Sequence, residues 1–159
     1  MFLNKKKLFL ITSISLIFFI LTYKDVSSDE IKIIDGDTIH INSEKIRFTG
    51  IDTPELKQIC KKNDIIINCG IEARELLVKI IGINKVSCIR QGKDRYQRTL
   101  AECFVNDLSL SSYLVRSGYA FAYRKYSKKF VEDENFARIN NIGMWSMNFD
   151  YPWDYRRNK

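Results

Sequence analysis

The sequence predicts an α+β domain, on three observations. Short runs rich in Ile, Thr and Phe at 30–34, 38–42 and 45–51 read as strands, broken at Asp35-Gly36 and Asn42-Ser43. A helical apolar period follows Gly70, and two further strand-like runs come after it at 85–90 and 99–105. Two more helical stretches close the chain. Five short strands with a helix after the third suit a small closed barrel of the oligonucleotide-binding type, here with three helices. Fold at this level does not specify chemistry.

Each element has its own reason. Before the strands, Lys5, Lys6 and Lys7 precede the apolar run Leu8 to Leu21, the pattern of an export signal, with Val26-Ser27-Ser28 as small residues before a cut. Thr22 and Tyr23 could instead extend that run into an uncleaved membrane anchor. Both outcomes are open. The organisation expected is a signal peptide or anchor over 1–28, a domain over 29–147 and an aromatic and basic tail over 148–159, in a secreted, periplasmic or membrane-tethered monomer.

Residues 56–69 read as a polar, lysine-bearing loop. Ala73, Leu76, Leu77, Ile80 and Ile81 then fall at i, i+3, i+4, i+7 and i+8 and form one apolar face, with Gly82 as a left-handed stop. A turn-rich stretch, Gly92 to Arg98, joins the last two strands. A second helix fits 108–117, burying Leu110, Leu114 and Val115, and a third fits 129–141. The tail mixes Phe149, Tyr151, Trp153 and Tyr155 with Arg156, Arg157 and Lys159. Pro152 and Trp153 are expected to dock it on the domain, and its terminal basic cluster to be solvated.

The chain has 159 residues, 45% of them apolar, which is enough for one domain with a real core. Its formal charge is +7. Removing the four lysines and one aspartate of 1–28 lowers this to +4, so the domain itself stays basic and suits an anionic partner. No later helix combines a basic face with an apolar one, which argues against a protein that lies on a membrane surface. The four cysteines of an exported chain suggest disulfides. Cys60 and Cys69 would close a small loop. Cys88 and Cys103 fall opposite each other on the last two strands. Zinc is disfavoured, because no pair has Cys-x-x-Cys spacing and His40 is the only histidine. Reduced structural thiols stay open if the chain is not exported.

The charges of the first strands carry the chemistry. Asp35-Gly36-Asp37-Thr38 alone reads as a turn, Asp52-Thr53-Pro54-Glu55 as a strand end, and Arg47 as an ordinary ion-pair partner. Together they read differently. Strand pairing could bring Asp37 and Asp52 to one end of the sheet, where two carboxylates and a carbonyl suit a hard cation such as calcium. Glu55 could hold and deprotonate a water, while Arg47 and Arg98 grip a phosphate. Phosphodiester cleavage needs such a set. Tyr96, Tyr123 and Tyr126, among Arg95, Lys93, Arg124, Lys125, Lys128 and Lys129, suit base stacking and phosphate contact. Arg95, Tyr96, Tyr123 and Tyr126 are the substrate-binding candidates, against barrel packing and a solvated charged loop.

"DGDTI", "KIRFTGIDTPE", "GIEARELL", "DRYQRTLAE", "LVRSGYAFAY" and "NNIGMW" resemble the staphylococcal nuclease-like, or thermonuclease, family in order and spacing, over about residues 30–146. The resemblance implies a five-stranded barrel with three helices and cleavage of DNA and RNA with little sequence preference. It also implies calcium held by Asp37, Asp52 and the Thr53 carbonyl, with Glu55 as general base and Arg47 and Arg98 on the phosphate. Gln97 departs from the pattern, standing where the family usually has glycine, and the 56–69 loop with its cysteines departs as well. Calcium dependence is not uniform in the wider family. The competing reading is a non-catalytic nucleic-acid-binding module of the same fold, which the complete acid and arginine set disfavours.

Overall fold

A computed structural model describes residues 29–159. The export or anchor segment expected over 1–28 lies outside them. Among the described residues, no helix is long and apolar enough to cross a membrane.

Strands β1 (Ile31–Ile33), β2 (Thr38–Ile41) and β3 (Glu44–Phe48) form an antiparallel meander. Asn42 and Ser43, with φ of 49° and 71°, make the β2–β3 turn. Two successive positive φ values match the twist of a hairpin, and Asn tolerates them. The short β4 (Ile51–Asp52) follows. Farther on come β7 (Ser87–Lys93) and β8 (Thr99–Val105), an antiparallel hairpin whose second strand runs parallel to β3. The sheet order is β1-β2-β3-β8-β7, which joins the five strands read from the sequence, and β9 (Leu108–Ser109) adds a sixth strand beside β8. The α+β class is as read from the sequence.

Residues 56–69 are not a plain loop. β5 (Cys60–Lys62) and β6 (Ile65–Ile67) form a hairpin across Asn63 and Asp64, both at positive φ. Strands of three residues leave too little alternation to be recognised, and an isolated hairpin of this size is marginal in water. Two tethers hold it: the Cys60–Cys69 disulfide and paired backbone bonds between Lys61 and Asn148. The second disulfide joins Cys88 to Cys103, which face each other in the β7–β8 register.

Helix α1 (Cys69–Ile81) buries Ala73, Leu77 and Ile81, and lays Leu76 and Ile80 at the edge of the main core. Gly82, at φ 50°, ends it by donating its N–H to Val78 O. Helix α2 (Leu110–Arg116) is capped by Ser109, whose hydroxyl accepts from Ser112 N. β10 (Phe121–Ala122) pairs with β4. Helix α3 (Val131–Ile139) is followed by a 3-10 turn, Gly143–Ser146.

A fourth helix, α4 (Pro152–Arg157), corrects the expectation of three. It is too short for a periodic signal, but Pro at its first turn is pre-set for helix entry. Phe121 anchors the tail, with Trp145, Phe149 and Tyr151 at 5.4, 5.2 and 5.1 Å between ring centroids. The Trp145 and Tyr151 pairs are edge-to-face and that with Phe149 is tilted; aromatic pairs add about 0.5–1.5 kcal/mol each beyond burial. The tail therefore belongs to the folded body and brings α4 against β4.

Candidate active site

The β2–β3 register places Thr38 opposite Arg47, so Arg47 reaches Asp37 just before β2. The Asp37 backbone is set locally: its N–H donates to Asp35 Oδ1 at 3.0 Å, and its carbonyl accepts from Phe48 N at 2.8 Å. Asp35 is thus a turn partner. Asp52 arrives on β4, fully buried, held by pairing with Phe121.

One guanidinium unites the two carboxylates. Arg47 Nη1 donates to Asp37 Oδ1, and its Nη2 donates to Asp52 Oδ1 at 2.9 Å. Asp37 Oδ1 also accepts from Thr38 Oγ1, and its Oδ2 accepts from Thr53 N at 3.2 Å. Burial pushes the Asp37 carboxyl up to about 6, against the opposing pull of Arg47. Burial also raises Asp52, the nearby Asp37 charge adds to it, and Arg156 and Arg47 oppose it. Even with arginine beside them, these two carboxylates sit in surroundings that disfavour their charge.

Glu55 follows on the loop after β4. Its backbone is clamped by buried Gln58, which donates N–H to Glu55 O at 2.7 Å and accepts from Glu55 N at its Oε1. Gln58 Nε2 reaches on to Asp150 O at 2.7 Å, tying this loop to the tail. Gly70 lies against the same loop: a Cβ there would sit 1.8 Å from Glu55 O, so only glycine lets α1 begin so close.

The sequence predicts a solvated basic end; Arg156 does stay 39% exposed, but it is also bound to the site. It reaches in from α4, donating to Asp52 Oδ2 at 2.6 Å, to Asp52 Oδ1 at 3.2 Å and to Glu55 Oε1 at 2.8 Å. Although burial works the other way, these bonds raise the Arg156 guanidinium above its ordinary value. Its neighbour Arg157 pairs instead with Asp154 in its own helix.

Arg98 lines the same cleft, of about 830 Å³, as Arg47 and Glu55. Arg95, Tyr96, Tyr123 and Tyr126 line it too. The guanidinium of Arg98 is held by Asp94, with Nε to Oδ2 at 2.7 Å, rather than by the carboxylates of the floor. Asp94 organises the whole loop, accepting also from Tyr96 N and Arg98 N. Gln97 sits at φ 64°, the left-handed geometry for which glycine is the easy choice.

The set brought into direct contact is therefore Asp37, Arg47, Asp52, Thr53 and Glu55, the last through Arg156. Arg98 lines the same cleft as Arg47 and Glu55. Sequence reasoning missed Gln58, Asp94 and Arg156. Asp94 carried a signal, as the first residue of Asp-x-Tyr-x-Arg; Gln58 and Arg156 carried none.

The donor chemistry of the floor suits a divalent cation, which would have to displace guanidinium groups, since Arg47 and Arg156 together with Thr38 and Thr53 occupy the oxygens of both carboxylates. Asp37 and Asp52 are side by side, buried and oxygen-only, as hard cations prefer. Among the described residues no group of three or more His, Cys, Asp or Glu is arranged to hold a metal ion. Main-chain oxygen, such as the Thr53 carbonyl, and water would complete the shell.

Residues 45–147 match the model of the staphylococcal nuclease homologue family. The chain is 31% identical over 156 residues to an uncharacterized endonuclease of Haemophilus influenzae, covering 92% of this chain and 82% of that protein. It is 29% identical over 153 residues to a micrococcal nuclease of Shigella flexneri, covering 85% and 83%. A probable staphylococcal-like nuclease of Oryza sativa, CAN2, is 32% identical over 126 residues, covering 77% of this chain and 32% of that protein. The chain thus spans about a third of the length of that plant relative.

Proposed function

The chain belongs to the staphylococcal nuclease homologue family, and from that premise we propose that it hydrolyses phosphodiester bonds of DNA and RNA, with low sequence specificity and with calcium. The observation that carries the reading is the shared cleft. A half-exposed carboxylate, Glu55, opens into it together with two arginines, Arg47 and Arg98, above two buried carboxylates.

Each residue has a role that its surroundings support. Glu55 takes the proton from an attacking water; Gln58 and the close approach of Gly70 fix the backbone that aims it. Arg47 is rigid, spanning Asp37 and Asp52, and presents fixed positive charge to the phosphoryl oxygens. Arg98 supplies a second guanidinium once a phosphate competes with Asp94 for it. Asp37, Asp52 and the Thr53 carbonyl would hold the calcium, which supplies Lewis-acid stabilisation of the charge that develops on the phosphoryl group. Tyr96 and Tyr126 are exposed, and Tyr123, one face of which lies on Trp153, lines the cleft beside them, which suits substrate read by stacking rather than by sequence. The N-terminal pattern of 1–28 supports export, to a secreted or periplasmic location or tethered to the membrane, where calcium is accessible.

The purified protein is expected to degrade single-stranded DNA and RNA when calcium is added and to stop when a chelator is added, read by gel electrophoresis. Binding of DNA with no shortening at any calcium concentration would favour the binding-module reading instead.

A further inference from the structure

Beside the cleft, α4 walls a second hollow of about 690 Å³. Five of its eight lining residues are cationic, Arg95, Arg124, Lys125, Arg156 and Arg157, and none is acidic. Arg95 and Lys125 have no carboxylate partner among the described residues; each lies only over a tyrosine ring, Tyr96 and Tyr126 respectively. The wall is rigid. Trp153 stacks in parallel on Tyr151 at 4.7 Å and on Tyr123 at 5.8 Å, which fixes α4 against the turn after β10. The hollow is also continuous with the cleft: Arg95, Tyr123, Lys125 and Arg156 line both.

We propose that this hollow is a subsite for the phosphate backbone of single-stranded nucleic acid beyond the scissile bond. α4, which lies outside the matched segment 45–147, builds it. The proposal rests on the nuclease reading of the adjoining cleft. A polyanion suits the hollow better than a lone anion, because the same cations continue into the cleft and a strand lying in one extends into the other. Fixed cations on a ring-stacked wall bind such a backbone at little cost in ordering. The subsite makes length of substrate, not sequence, the quantity this enzyme senses.

The test uses the full chain carrying Glu55→Gln, so that nothing is cut, and labelled oligothymidylates of two and twelve nucleotides, read by fluorescence anisotropy. Adding Lys125→Ala and Arg157→Ala is expected to weaken binding of the twelve-mer about tenfold at low salt. The slope of log K against log salt should flatten by about 1.4, from two lost contacts at about 0.7 each. Binding of the dinucleotide is expected to weaken by no more than about twofold, through Lys125, which also lines the cleft. The charge-reversed pair, Lys125→Glu with Arg157→Glu, should weaken the twelve-mer about a hundredfold with an unchanged unfolding midpoint. Equal effects at both lengths, or none at either, would overturn the subsite. So would loss of binding to phosphatidylglycerol vesicles with the twelve-mer unaffected, which would assign the hollow to lipid headgroups. If the wild-type protein cuts no nucleic acid, the nuclease reading fails, while the length dependence of binding still decides the subsite.

Discussion

Glu55→Gln is expected to lower the rate of phosphodiester hydrolysis by about a thousandfold while leaving the fold intact. General base catalysis is worth about 10²–10⁴-fold. Glutamine has the shape of glutamate but cannot take a proton from water. The structure explains why the fold should survive. The Glu55 side chain is 40% exposed, and its side-chain partner is Arg156, at 2.8 Å, which an amide oxygen can still receive. Both clamps from Gln58 act on the Glu55 backbone, which the substitution leaves alone. Cleavage of DNA and thermal unfolding, measured on the same preparation, check both halves. Activity within tenfold of wild type would mean that another group serves as base.

Asp37→Asn should move stability and activity in opposite directions. Burial pushes the Asp37 carboxyl from 3.8 up to about 6. A shift of that size means the native state disfavours the charged form by about 3 kcal/mol. Asparagine removes the charge at nearly constant volume. One of the bonds now accepted from Thr38, Arg47 and Thr53 is lost, which offsets about 1 kcal/mol. Arg47 keeps its bond to Asp52. A net gain of about 1–2 kcal/mol near pH 7.5 follows, together with a loss of about a hundredfold or more in activity, because one of two carboxylates placed to hold the cation is gone.

The pH dependence has a definite sign. As pH falls through about 6, the native wild-type protein binds a proton that the unfolded chain does not bind until about 3.8. Wild-type stability therefore gains from this group as pH falls between those values, and the advantage of the variant narrows over the same window. Urea unfolding at several pH values measures it. A variant that is less stable at every pH would make Asp37 an ordinary structural partner of Arg47.

Much of this site was legible because it is local. Asp37, Arg47 and Asp52 lie within sixteen positions of one another, and strand alternation with a tight Asn42-Ser43 turn brings Thr38 opposite Arg47. The α1 face was legible for the same reason, since its period repeats over thirteen residues. What was illegible depends on distant pairing. Arg156 lies 104 positions from Asp52, and its local sequence does not distinguish it from Arg157. Only the aromatic docking of the tail turns one of these arginines inward and leaves the other on its own helix. The β5–β6 hairpin was missed because its strands are three residues long and are held from outside by a disulfide and by Asn148.

The most direct test is a double-mutant cycle on cleavage rate between Glu55→Gln and Arg98→Ala, two residues that line one cleft. Groups that act on a single phosphorus as a unit are far from additive. The double variant is therefore expected to be about as slow as the more damaged single variant. Independent losses that multiply in the double variant, or an Arg98→Ala protein as fast as wild type, would contradict the convergence of these side chains on one phosphodiester bond.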